Sequence, residues 1–169
     1  MKQIHNSIRL ILFVFLILSF VGCDRITKEI AKEHLATRGP VSYLHGTIQL
    51  SYAENSGAGM SVGAHWSPST KLFALKIIPA VVLLMVLMYT IWNSQRIHLL
   101  PMLAIVLIVS GGIGNLIDWV FHQNNVIDFM NIGFLSIRTG IFNVADVCIT
   151  CGVFLLLLSY RFQKRYISP

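Results

Sequence analysis

Apolar residues along this chain fall in long runs rather than in the short alternations of a soluble fold. Three of them, Leu72–Trp92, Leu99–Phe121 and Val144–Phe162, are each long enough to cross a bilayer as a helix, which takes about 20 residues. A fourth and shorter run, Leu10–Val21, follows Lys2 and Arg9 and leads into Gly22-Cys23-Asp24. That junction has two incompatible readings. A basic start, a short apolar core and small side chains before Cys23 are the marks of a secretory signal with a lipid-acceptor cysteine. The alternative is a membrane helix whose outer end carries Asp24. The three later runs favour the helix, because a chain anchored only by lipid needs none of them. The pattern predicts a membrane α-helical protein, a single domain over residues 1–169, with four transmembrane helices over about 8–24, 72–92, 99–121 and 144–162.

Between the first two spans, over about residues 27–70, the period changes. Ile48, Leu50 and Tyr52 alternate with Gln49, Ser51 and Ala53, as in a half-buried strand, and Asn55-Ser56-Gly57-Ala58-Gly59 breaks the alternation as a turn would. A small β-rich flap on the outer membrane surface, between the first and second helices, is expected. Pro79 predicts a kink in the second helix, and Lys71 and Lys76 are placed to snorkel to the surface at its start.

Composition supports the membrane assignment: 55% of residues are hydrophobic and 12% charged, with mean hydropathy +0.70. A net charge of +6 would suit a nucleic-acid partner, but the basic residues are scattered over loops and ends with no aromatic-laced basic face, which excludes that class. A simple positive-inside count does not hold. The acids Asp24, Glu29, Glu33, Glu54, Asp118, Asp128 and Asp146 nevertheless gather opposite the basic tail Arg161–Arg165, so both termini are read as cytoplasmic. Cys148 and Cys151 lie in an apolar helix without a second pair and read as buried small residues, with no metal site. His122 reads as a solvated loop residue.

Ionisable groups at the edge of a bilayer are functional suspects. Asp118 stands near the outer end of the third span, Asp128 in the connection after it, and Asp146 in the first turn of the fourth. Asn115 and Asp118 share a helix face with Gly111, and Ser110-x-x-x-Gly114 gives that helix a small-residue face for other helices. Asn143 and Asp146 have the spacing of a capping box, which by itself could explain Asp146. Asp128, however, lies at the same membrane surface, and two carboxylates sharing one proton are the machinery of aspartic proteolysis. A polytopic binding or transport protein would use the same acids to handle protons or a cation. Against it, no half-buried acid marks the opposite membrane face.

SGGIGNLID (Ser110–Asp118), VIDF (Val126–Phe129) and FNVAD (Phe142–Asp146), behind DRITK (Asp24–Lys28) and NSGAGMS (Asn55–Ser61), resemble in order the motifs of the lipoprotein signal peptidases, or signal peptidase II. These are bacterial inner-membrane aspartic proteases that cut prolipoproteins before a diacylglyceryl-modified cysteine. The resemblance implies Asp128 and Asp146 as the catalytic pair, and Asn55, Gly57, Asn115, Asp118 and Asn143 as substrate-binding residues that also orient it. Asp24 and Lys28 would order the outer end of the first helix. It further implies prolipoprotein substrates, membrane lipid as partner, no metal or organic cofactor, a monomer, and an active site at the extracytoplasmic face of the inner membrane. The sequence departs from the family at Arg25-Ile26-Thr27, where Gln, a variable residue and Ser are usual. It departs again at Glu54, where Tyr or Arg is usual, at Met60, where an aromatic is usual, and at Trp119, where Arg is usual. A catalytically altered paralogue is the reading those departures open, and Arg25 and Arg138 are candidates to replace the lost guanidinium.

Overall fold

The computed structural model describes residues 2–134 and 137–167. Its first helix, α1, runs Lys2–Leu35 and passes through Cys23 without a break, well beyond the expected end near residue 24. The reason is local. Asp24 and Lys28, and Arg25 and Glu29, are ion pairs four residues apart along the helix, so a stretch that is polar in sequence still supports helical turns. The helix gives way only before Gly39, at φ +77°, and Pro40. The flap is correspondingly shorter than expected.

Among the described residues, four helical stretches are long and apolar enough to cross a membrane: Ser7–Leu35, Pro68–Trp92, Leu99–Phe121 and Val144–Phe162. The second opens with α2, Pro68–Lys71, whose N-cap Ser67 accepts the Thr70 N–H at 3.2 Å. It continues through a π-helical segment, Leu72–Ile77, into α3, Ile78–Trp92. Pro79 has no N–H to donate, and the widened π turn directly before it takes up that mismatch within one continuous rod. Next come α4, Leu99–Phe121, and α5, Val144–Ile167. Around α4, side chains from three helices build the core: Phe13 and Ile17, Leu83, and Met102, Val106 and Val109. At the end far from the acids, Arg9 donates to the Ile97 carbonyl and meets Met102 Sδ at 2.9 Å, tying α1 to the start of α4. Cys148 is buried, but Cys151 is exposed, so only the first has the packing role expected of both.

The sheet differs most from expectation. Its strands are β1, Val41–Tyr43, β2, Ile48–Asn55, β3, Val126–Phe134, and β4, Ile137–Arg138, antiparallel in the order β1-β2-β3-β4. Half of it therefore comes from the connection between α4 and α5 rather than from the segment between the first two helices. Residues Val126–Phe129 are buried on both faces, so β3 lacks the alternation that marks a half-buried strand. A register shift between Leu50 and Ala53 sets Ala53 opposite Asp128 and Asn55 opposite Val126.

Contact between α4 and α5 depends on missing side chains. A Cβ at Gly111 would strike the Ala145 carbonyl, one at Gly114 would lie 2.6 Å from Asp24 Oδ2, and one at Gly152 would lie 2.8 Å from the Ala104 carbonyl. Gly111→Ala or Gly152→Ala should destabilise the protein by about 1–3 kcal/mol, read as a lower unfolding midpoint in detergent. An unchanged midpoint for both would mean that the helices separate easily.

Candidate active site

A buried lysine organises the outer end of the bundle. Lys28 is completely covered, and its ammonium lies 2.8 Å from Asp24 Oδ2, 2.7 Å from Asp118 Oδ2 and 3.3 Å from Asn115 Oδ1. The first two contacts are ion pairs and the third is a hydrogen bond from the ammonium. Arg25 pairs with the other oxygen of Asp118 and, at 3.2 Å, with Glu29. Two cations balance the two buried carboxylates Asp24 and Asp118, which is what makes those charges tolerable at this depth.

From this cluster two hydrogen bonds reach the segments that carry the remaining acids. Asp24 Oδ1 accepts the Ala145 N–H at 2.9 Å, in the first turn of α5, and Asp118 Oδ2 accepts the Ile127 N–H at 3.3 Å, near the start of β3. Asp146 and Asp128 are the next residues along. Asn143 joins them. Its amide donates to Asp128 Oδ1 at 2.7 Å, while its backbone N–H donates to Asp146 Oδ2 at 3.1 Å. The Asp146 N–H donates back to Asn143 Oδ1 at 2.9 Å, so the capping box read from the spacing is formed. Asn115 donates to Asp146 Oδ1 at 2.9 Å, and Asn55 donates to Asp128 Oδ2 at 3.0 Å. Asn55 is itself held by the Gly57 N–H at 2.9 Å.

Asp128 is 3% exposed, and burial pushes its carboxyl up to about 6. The Asn55 amide opposes that shift, the negative charge of Asp146 adds to it, and the Asn143 amide opposes it again. Asp146 lines a cavity of about 510 Å³ whose other walls include Ile141, Phe142, Val147 and Ile149. Two carboxylates bridged by one asparagine, one lining an apolar cavity and the other inclined to keep its proton, can perform general acid–base chemistry on a polar bond brought there.

Asn55, Gly57, Asn115, Asn143, Asp128 and Asp146 are thus brought together. Asp118 is not open to a substrate. It is fully buried, with both oxygens engaged by Arg25, Lys28 and Ile127, which corrects the expectation of a binding contact. Asp24 and Lys28 do more than order their own helix, because Asp24 also holds α5. Of the two candidate arginines, Arg25 stands beside Asp118, whereas Arg138 reaches Asn131 and the Gly46 carbonyl at the far end of the sheet. His122 is not a solvated loop residue: it closes α4, and its Nδ1 lies 3.4 Å from Asp118 Oδ1. Glu54 accepts from Tyr52 at 2.8 Å and from Asn125 at 3.0 Å, pinning β2 to the turn before β3. Burial and the neighbouring Glu54 push the Tyr52 phenol up to about 12. The Met60 side chain lies outside the described residues.

The model of the signal peptidase (SPase) II family matches residues 16–162, a span that contains every residue of this site. The chain belongs to the signal peptidase II family. Lipoprotein signal peptidase of Borrelia turicatae (strain 91E135) is 33% identical to it over 129 residues, 74% of each chain. That of Streptococcus thermophilus (strain CNRZ 1066) is 34% identical over 142 residues, 84% of this chain and 87% of the relative. A bacterial membrane enzyme solved by the in meso method at 2.3 Å has the same fold, with a TM-score of 0.79 over 93% of this chain and 92% of the other at 23% identity. Signal peptidase II enzymes are proteases, and this member is a multi-pass membrane protein.

Removing Lys28 would leave Asp24 and Asp118 facing each other without the ammonium. Lys28→Met should cost about 3–5 kcal/mol, seen as a large fall in the thermal unfolding temperature in detergent. A variant as stable as the parent would show that Arg25 alone supports both acids.

Proposed function

We propose that this signal peptidase II is an aspartic endopeptidase that removes signal peptides from prolipoproteins by cutting before the diacylglyceryl-modified cysteine, with Asp128 and Asp146 as its catalytic pair. The observation that carries this reading is the bridge through Asn143, which ties both carboxylates to one residue, its side-chain amide on Asp128 and its backbone N–H on Asp146, the acid that lines the apolar cavity. Ionised Asp146 takes a proton from water as the water attacks the scissile carbonyl carbon, and protonated Asp128 gives its proton to the carbonyl oxygen. The tetrahedral intermediate collapses when Asp146 passes its proton to the departing amide nitrogen and Asp128 recovers its own. Asn55, Asn115 and Asn143 hold the pair, while Asp24, Lys28, Arg25 and Asp118 position the backbone beneath it. Arg25 places a guanidinium beside Asp118 in spite of Trp119, which favours an active enzyme over a catalytically altered paralogue.

The aliphatic and aromatic wall of the cavity suits a substrate that arrives through the bilayer by its lipid and its apolar signal peptide. The reading includes a monomer in the cytoplasmic (inner) membrane, both ends of the chain inside, and the acids at the outer face, where such substrates emerge.

Purified protein incubated with a diacylglyceryl-modified prolipoprotein should convert it to a smaller product on a gel. Asp128→Asn and Asp146→Asn should each lower the rate by about 10²–10⁴-fold with unfolding temperatures unchanged. Full activity in either folded variant would sink the assignment.

The pH dependence follows from Asp128. Protonated below about 6, it loses its proton as pH rises through that value, and kcat/KM should fall with it. The Asn55 amide stabilises the ionised form, so Asn55→Ala should raise the value and move the falling limb to higher pH. Activity that rises rather than falls as pH passes through that value would show that Asp128 acts in its ionised state.

A further inference from the structure

A second cavity, of about 410 Å³, lies behind the sheet. Side chains alternate along β3, so Asp128 faces Asn55 and Asn143 while Phe129 faces the other way, toward α1. Ile30, Ala31 and Leu35 of α1, Tyr43 and Leu50 of the β1–β2 hairpin, and Phe129 line the cavity. Positions 27, 30, 31, 34, 35 and 38 contribute from the chain at and just past the end of α1, the spacing of a single helix face. Ile30 is also 52% exposed, beside Ile26 at 62%. The cavity is therefore continuous with the surface that α1 turns to lipid.

His34 and Arg38 stand at its margin, both exposed. No acid lines it. Glu29 and Glu33 lie off the contributing face, Glu29 is held by Arg25, and residues 34–53 contain no Asp or Glu. An apolar chamber with the Arg38 guanidinium and the His34 imidazole at its rim and no acid beside them, opening beside the membrane face of a helix, is complementary to one kind of molecule: an anionic amphiphile.

We propose that this chamber binds an anionic phospholipid of the surrounding bilayer, one acyl chain against Leu35, Leu50 and Phe129 and the phosphate between His34 and Arg38. The site is separate from the proteolytic one. Its floor nevertheless reaches the same strand: the Phe129 N–H donates to the Phe142 carbonyl at 3.0 Å, and each of these residues adjoins a member of the acid–asparagine cluster. A bound chain packs against β3 from the side opposite the carboxylates.

The test uses full-length protein in lipid nanodiscs with phosphatidylglycerol carrying a photoreactive diazirine in its acyl chain, followed by digestion and mass mapping. Adducts are expected at Leu50 and Phe129, strand residues that lipid on the outside of the helices does not reach. His34→Ala and Arg38→Ala should each reduce those adducts by about five-fold, and Leu50→Trp, which fills the chamber, should abolish those at Phe129. Thermal unfolding confirms that each variant is folded. Adducts confined to outward helix positions such as Ile11 and Leu84 would overturn the proposal. So would equal labelling of the strands by the phosphatidylcholine analogue. The readout is independent of cleavage, so failure here leaves the proteolytic reading where it stands.

Discussion

The ammonium of Lys28 is the constraint on which the outer half of this molecule depends. A cation with no exposure must be surrounded by acceptors or lose its proton, and the acceptors come from α1 itself and from α4. Once Asp24 and Asp118 are fixed by Lys28 and Arg25, their remaining hydrogen-bonding capacity is directed at two backbone amides, Ala145 and Ile127. Each of those amides immediately precedes one of the two acids that Asn143 bridges. The ion cluster thus sets the relative position of Asp128 and Asp146 without touching either. Removal of an inert-looking buried lysine would be felt at the site through the backbone.

Such an arrangement requires α1, α4 and α5 to come very close, and the glycines of α4 are the means. Apolar burial cannot draw helices together in lipid as it does in water, so close backbone approach and buried polar contacts take over. Gly114 leaves room for the Asp24 carboxylate, and Gly111 for the carbonyl of Ala145. The polar cluster and the small-residue face are two sides of one requirement. The carboxylate of Asp24 can reach the α5 amide only because no side chain stands at Gly114.

What was legible in the sequence follows the range of the interactions concerned. Uniform apolar runs announce membrane helices because the bilayer imposes their length, and the spacing of Asn143 and Asp146 announces a capping box because that motif is local. The end of α1 was misplaced because Asp24, Arg25, Lys28 and Glu29 look like the start of a loop until their partners along the helix and on α4 are known. β3 was missed for the opposite reason, since a strand covered on both faces carries no alternation. Whether Arg25 or Arg138 would stand beside Asp118 depended on the rotation of α1 against α4, which no pattern within either segment records. The same holds for Asp118, whose spacing from Asn115 gave the shared face correctly but not the partners on that face.

Asp128 and Asp146 are the same side chain in two different settings, and the difference suits the acid–base pair proposed for them. Asp128 sits on a strand, buried, with one amide on each oxygen; ionising it means placing a charge where water is scarce and another carboxylate is close. Asp146 sits at the start of a helix, where one oxygen takes the Asn143 N–H in the capping box and the helix dipole favours negative charge. Capping is therefore no rival to a chemical role for Asp146. It fixes the carboxylate by one oxygen, while the other accepts from Asn115, and it leaves the residue lining the apolar cavity.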